Sequence, residues 1–485
     1  MLSSITGAFT KFFGKQPPDY TVYKPVDSDA LIQYNASRTN GPKPTLCYAP
    51  FKSLYFGHRG KVFACCYNRQ YTLGTFPQKS ILDIWFGEEA DKLRNYIKHN
   101  DLSQGCGGCD NLFSAKNFDA IKAKMYDHYS ENKNRYPSLM EFELSNTCNL
   151  ECIMCNGEFS SSIRKNREKK PPIEEVYGAN FVQQLEEFIP WLDEVKFYGG
   201  EPFLVDIYYE IWERIAILNP TCKISVQTNA TVLNSRLKEL LNKKSFNLNI
   251  SLDSLEKSNY ETIRVNAKLE TVMENIQFFR QYAKEKDTFF GISCCAMRDN
   301  WRELPAFIDF CNSMNVSVYF HTVWTPVERS LWNLDSKTLL EICEHLQQFD
   351  FPQENANQKK NRTHYFDTLK LFRNWQEAAA KHEAEMDKYK TGVVGNGGKQ
   401  KLYNSIKDYV YSNTNISTEE KEKKLASCFS KMTMFISVLP ENYSIEKIYE
   451  YVNAQPINKL VAELELNKQE AIIKQALSSV FNVNE

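Results

Sequence analysis

The chain is 485 residues long, with 42% hydrophobic residues, 25% charged residues and a formal net charge of −1. This is ordinary globular composition over a length that accommodates two to four domains. The near-zero charge lacks the basic footprint of a nucleic-acid binder, and no run of about 20 apolar residues is present to span a membrane. Fourteen cysteines, behind an N-terminus without the apolar core of a signal peptide, predict a reducing, cytoplasmic setting and metal ligation rather than disulfides.

Residues 1–40 are polar and turn-rich (QPPDY, SRTNGPKP) and read as an extension. Residues 41–130 hold five cysteines, Cys47, Cys65, Cys66, Cys106 and Cys109, among short strand-like and turn-like segments. Residues 131–328 alternate strand and helix patterns. Strands are predicted at 139–145, 194–199, 223–229, 248–253, 288–297 and 316–324, with helices such as NFVQQLEEFIPWL between them. This alternation predicts βαβ units on a parallel sheet. Residues 329–485 are predicted to be mainly helical, through SKTLLEICEHLQQF, NWQEAAAKHEAEMDKYK and PINKLVAELELNKQEAIIKQALSSVF. The segment TGVVGNGGKQ is not a phosphate loop, because Val393 stands where glycine is needed and Gln400 replaces the Ser/Thr; it is predicted to be a turn.

The most specific motif follows the first predicted barrel strand: Cys148-x-x-x-Cys152-x-x-Cys155 in SNTCNLECIMCN. A [4Fe–4S] cluster ordinarily takes four cysteine ligands, so three leave one iron open to another ligand. A zinc site or a redox pair is the alternative, although zinc motifs favour two paired halves. The second strand ends in Gly199-Gly200-Glu201-Pro202, which alone would be an ordinary turn. Asn229, Ser251 and Asp253 close the next two strands, where helix capping is the competing role. Arg264 suits bidentate carboxylate binding, with a surface salt bridge as the alternative.

Taken together these motifs resemble the radical S-adenosylmethionine (SAM) enzymes. The resemblance implies a partial (β/α)6 TIM-like barrel with a [4Fe–4S] cluster on Cys148, Cys152 and Cys155. It also implies SAM held by Gly199, Gly200, Glu201, Asn229, Ser251, Asp253 and Arg264, and by Met154, where relatives often carry an aromatic residue. The block Cys47, Gly60 before Cys65, Leu73-Gly74, Ile84-Trp85 and Cys106-x-x-Cys109 resembles the SPASM/twitch auxiliary-cluster module. It implies a second [4Fe–4S] cluster on Cys47, Cys65, Cys106 and Cys109, with Cys66 a rival to Cys65 and structural zinc the alternative. In most relatives the module follows the barrel. Here it precedes it, so it is expected to reach the open face from the other end of the chain.

The implied activity is reductive cleavage of SAM to a 5′-deoxyadenosyl radical, followed by hydrogen-atom abstraction from substrate. The expected substrate is a peptide or protein side chain. A small molecule such as a sugar or nucleotide is the alternative, and a non-catalytic electron-transfer or sensing protein is a second one. A low-potential donor such as flavodoxin or ferredoxin is the implied partner. Cys294 or Cys295, on the fifth strand, would be a hydrogen-atom donor inside the barrel. The helical C-terminal region is expected to cap the barrel or to bind a partner.

Overall fold

The computed structural model describes residues 22–39, 41–129, 135–390, 397–412, 417–437, 445–465 and 472. Most of the predicted N-terminal extension, the 391–396 part of the predicted turn and the tail of the last predicted helix lie outside these residues. The chain divides into two units, Met1–Asn333 with Leu346–Thr368, and Leu334–His345 with Leu369–Glu485.

The first unit is built on a nine-stranded sheet. Its strands are β1 (Ser53–Gly57), β2 (Lys61–Phe63), β3 (Gly74–Thr75), β4 (Leu139–Glu143), β5 (Glu194–Phe197), β6 (Lys223–Thr228), β7 (Phe246–Ser251), β8 (Phe290–Ala296) and β9 (Ser317–Thr322). The order is β3-β2-β1-β4-β5-β6-β7-β8-β9. From β4 to β9 every pairing is parallel, so all six predicted barrel strands form in sequence order. Helices complete each crossover, as βαβ units require.

One face of the sheet is apolar and packs on these helices. Phe142, Phe197 and Phe246 meet Phe181 of helix Ala179–Leu185 and Trp212 of helix Asp206–Leu218, with ring centroids 5.1–6.2 Å apart. The other, inner face is polar. Along β6 and β7, buried Ile224, Val226, Leu248 and Ile250 alternate with half-buried Ser225, Gln227, Asn247, Asn249 and Ser251.

The cysteine-rich module is not a detached lobe folding back over the barrel. Its β1 pairs in parallel with β4, from Ser53↔Leu139 to Gly57↔Glu143, and extends the sheet by one strand. Strands β2 and β3 then add antiparallel. This corrects the expected approach: edge-strand hydrogen bonding joins module to barrel, so both share one inner face. The glycine five residues before Cys65 has a steric role here. Gly60 has φ +79°, and a Cβ on it would stand 2.0 Å from the Phe76 carbonyl oxygen.

The second unit is helical. Its helices Gly398–Ser412, Thr418–Ser437, Ile445–Asn453 and Ile457–Glu465 enclose Leu402, Ile406, Phe429, Met432, Ile448, Val452 and Leu464. Cys428 is buried in that core, and Cys222, Cys311 and Cys343 are likewise buried. None of the described helices is long and apolar enough to cross a membrane.

Candidate functional site

The C-terminal ends of β4 to β9 lie together, as parallel pairing demands, and the loops leaving them carry the predicted chemistry. After β4 the chain runs into the three-cysteine loop. Three serines fix it: Ser160 donates to the Leu150 carbonyl (2.7 Å), Ser162 donates to the Cys148 carbonyl (2.8 Å), and the Ser161 hydroxyl accepts the Cys148 amide (3.1 Å). The amides of Glu151 and Ile153 donate to the carbonyls of Val265 and Ile263 (3.0 and 2.9 Å), stitching the loop to the segment around Arg264. The Leu150 amide already points at Cys148 Sγ (3.5 Å). Burial pushes the Cys148 thiol up to about 12 and Cys155 to about 11, and it also raises Cys152. Metal binding must displace those protons.

The turn after β5 packs against this loop. A Cβ on Gly200 would meet the Thr147 carbonyl oxygen at 2.1 Å, so only glycine lets the two backbones come so close. Glu201 is fully buried and faces inward to the protein. It accepts hydrogen bonds from the Thr228 hydroxyl (2.6 Å), the Asn229 amide (2.7 Å) and the Phe203 amide (3.2 Å). Burial lifts its carboxyl to about 7 against the pull of those donors. Glu201 is therefore a positioning residue that ties the glycine turn to the end of β6. Each of its oxygens accepts a backbone N–H, so Glu201→Gln must oppose one of those donors with an amide donor. We expect a loss of about 1–3 kcal/mol, read as a lower denaturation midpoint together with weaker SAM binding.

Asn229 is also engaged within the chain, accepting the Thr231 amide (2.9 Å) and hydroxyl (2.7 Å), and Ser251 accepts from Gln227 (2.6 Å). Asp253 is wholly buried. Its Oδ1 accepts the Cys295 amide (2.7 Å), and its Oδ2 lies 2.7 Å from an Arg264 guanidinium nitrogen. Arg264 thus forms a buried ion pair rather than a surface one, and its Nε has no hydrogen-bond partner. Met154 packs with Ile263, Met297, Val323 and Cys295 in an apolar cluster beside the loop. The strand alternation separates the two cysteines of β8. Cys294 is fully buried, with its sulfur near Asn300, whereas Cys295 joins the Met154 cluster.

In the module, Cys47 and Cys65 pack together against Tyr48, Tyr126, Tyr129 and Leu139. The Ala49 amide donates to Cys47 Sγ (3.4 Å), and Asn68 Nδ2 donates to Cys106 Sγ (3.3 Å). Burial pushes the Cys65 and Cys106 thiols up to about 12, and proximity to Cys109 adds to both. Cys66 lies within electrostatic reach of Glu141, Cys65, Arg69 and Lys196. Cys47 lies within electrostatic reach of Cys65, Cys106 and Cys109. Among the described residues, no three His, Cys, Asp or Glu side chains converge tightly enough to hold a single metal ion.

Sequence reading missed the inner-face residues between the two cysteine sets. Arg69 reaches from the module to grip Glu143 of β4 through both nitrogens (3.0 and 3.0 Å). His58, at the end of β1, stands between Glu143 (3.5 Å) and Glu158 (3.3 Å), three residues past Cys155. Arg59 and Arg164 also bind Glu158 (2.8 Å each). Burial opposes ionisation of Glu158, yet the hydrogen bonds from Arg59 and His58 hold its carboxyl down at about 2. Polar strand ends link across β6 to β8, with Asn249 donating to Gln227 (2.8 Å) and to Ser293 (2.7 Å).

Residues 142–311 match the model of the radical SAM superfamily, and residues 47–110 match that of an iron–sulfur cluster-binding domain, SPASM. The chain thus carries a radical SAM domain, with a SPASM module placed before it. Its cofactors are accordingly iron–sulfur clusters and SAM. A probable GTP 3′,8-cyclase of Methanocella arvoryzae is 30% identical over 145 residues, 29% of this chain and 42% of that one. Among solved structures, anSMEcpe with bound AdoMet aligns at TM-score 0.34 and 16% identity, covering 44% of this chain and 60% of that one. SuiB of Streptococcus suis bound to S-adenosylmethionine aligns at TM-score 0.33 and 16% identity, covering 53% and 56%. The chain thus spans less than two thirds of each of these relatives.

Proposed function

We propose that this radical SAM protein is a cytoplasmic enzyme that modifies a side chain of a peptide or protein. In this reading Cys148, Cys152 and Cys155 hold the [4Fe–4S] cluster, and Gly199, Gly200, Asn229, Ser251, Asp253 and Arg264 hold SAM. Together these cofactors supply a 5′-deoxyadenosyl radical for hydrogen-atom abstraction, with a flavodoxin or ferredoxin as electron source. The protein's part is to bind, orient and exclude water. Glu201 fixes the glycine turn, Asp253 fixes Arg264, and Met154 with Ile263, Met297 and Val323 provides an apolar wall. Cys295 beside that wall is the thiol positioned to return a hydrogen atom. Cys47, Cys65, Cys106 and Cys109 hold the auxiliary cluster, whose four ligands leave it to carry an electron or shape the pocket.

The observation that carries the choice of substrate is the charge of the inner face. Glu141, Glu143, Glu158 and Glu194 line it with Lys196, Arg69, Arg59 and Arg164, and these cations are paired with the carboxylates. Cations already paired with carboxylates offer little to a nucleoside triphosphate, which calls for cationic partners. Conversion of GTP is the second reading, supported by the name of the Methanocella relative. The two separate in an anaerobic assay of cluster-loaded protein with SAM and a strong reductant, in which 5′-deoxyadenosine is quantified by mass spectrometry. Stimulation by a peptide fraction of the host and not by GTP is expected. Stimulation by GTP, or by small metabolites alone, would overturn the peptide reading.

A further inference from the structure

The three-cysteine loop is fastened differently along its length. Its first half is tied to Ser160, Ser161 and Ser162 and to the carbonyls of Ile263 and Val265. Past Cys155 the partners change. Asn146 donates to the Gly157 carbonyl (2.9 Å), the Gly157 amide donates to Glu168 (2.7 Å), and the Glu158 carboxylate crosses to the auxiliary module. The turn between β1 and β2 meets it there. One Arg59 nitrogen donates to both Glu158 oxygens (3.0 and 2.8 Å), and His58 Nε2 stands 3.3 Å from Oε2. The His58 ring also packs edge-on against Phe159, with centroids 5.9 Å apart. Arg164 closes the third side of the carboxylate at 2.8 Å.

An isolated surface ion pair contributes little, but several charges sharing one carboxylate form a network, and the His58 and Arg164 side chains are only 12% and 10% exposed. The backbone is strained at the same point. Arg59 sits at φ +73°, a conformation uncommon outside glycine that persists where surrounding contacts over-determine it. The turn itself is pinned from behind, since the Gly60 carbonyl accepts the Phe76 amide (2.8 Å) and the Gly57 carbonyl accepts the Tyr177 hydroxyl (2.7 Å). On its other side His58 lies 3.5 Å from Glu143, which Arg69 grips, and Arg69 Nε donates to the Cys66 carbonyl (3.1 Å). A run of side-chain contacts thus joins the backbone beside Cys65 to the residue three past Cys155.

We propose that Arg59 and His58 of the auxiliary module are positioning residues for SAM: by holding Glu158 they fix the exit of the cysteine loop, and Cys155 with it, in the geometry that receives SAM. This role rests on the cluster-ligand reading above and not on the identity of the substrate. The test uses the full, cluster-loaded chain. SAM affinity is read from the change that SAM causes in the electron paramagnetic resonance of the reduced protein, beside the iron count. Asparagine tolerates a left-handed backbone, so Arg59→Asn should fold, keep about eight irons and bind SAM about fivefold more weakly. Arg59→Lys should recover part of that loss. Glu158→Gln cuts the tie from the other side, and its effect should not add to that of Arg59→Asn in the double variant. Unchanged SAM affinity in Arg59→Asn, even with a lower denaturation midpoint, would leave a structural staple and overturn the proposal. Loss of the auxiliary irons, or additive effects in the double variant, would overturn it too. A wild-type chain whose resonance does not respond to SAM would defeat the ligand reading, and this role with it.

Discussion

Replacing Cys148 with alanine is expected to abolish 5′-deoxyadenosine formation and to halve the iron content of the reconstituted protein. Each cubane carries about four irons, so the wild-type chain should hold about eight and the variant about four. The expectation follows from the loop geometry. Cys148 is the cysteine whose own amide and carbonyl are held by Ser161 and Ser162, so its place in the loop is fixed. The same iron count separates the two adjacent cysteines of the module. Cys65→Ala should lose the auxiliary four irons, because Cys65 and Cys47 pack on the same apolar cluster within electrostatic reach of each other. Cys66→Ala should retain all eight, because the glycine five residues earlier, Gly60, marks Cys65 as the ligand. Full iron in Cys148→Ala, or loss of iron in Cys66→Ala with retention in Cys65→Ala, would refute these ligand assignments.

Asp253→Asn should be the most destabilising single substitution at the site, by about 3–5 kcal/mol, because it strands the Arg264 guanidinium in a buried position. Asp253 is wholly buried and is the carboxylate paired with Arg264, whose Nε already lacks a hydrogen-bond partner. The cost should be recovered in part by a second change. Asp253→Asn combined with Arg264→Met removes both charges, and a double-mutant cycle on the metal-free protein should show the double variant costing clearly less than the sum of the singles. Additive costs would mean that the pair does not couple. SAM affinity adds an independent readout, since the double variant should fold yet bind SAM poorly if Arg264 meets its carboxylate.

The inner-face residues show where sequence reading stopped short. Parallel strands buried on both faces read as near-continuous apolar runs. KISVQT and FNLNIS alternate instead, with a polar side chain at every second position. That period-two pattern in strands joined by helices was a visible signal that one face of a parallel sheet meets polar ligand or water. Glu141 and Glu143 in LMEFE carry the same signal. No pattern, however, would have revealed that Arg69 reaches Glu143, since 74 residues separate them.

The sequence by itself determined the six barrel strands, the helical character of the C-terminal region, the two sets of cysteines and the glycines beside them. These are local properties, set by periodicity, short ligand spacings and backbone conformations that only glycine adopts. Only the tertiary structure decided that β1 would pair with β4 and merge the module into the barrel sheet. It also decided that Glu201 serves the turn from within, that Cys295 rather than Cys294 joins the loop's apolar cluster, and that Glu141 is left with a free oxygen. The physical reason is that hydrogen bonds and ion pairs are satisfied by whichever group arrives in space. Partners such as Asp253 and Cys295, 42 residues apart, are brought together by strand register alone.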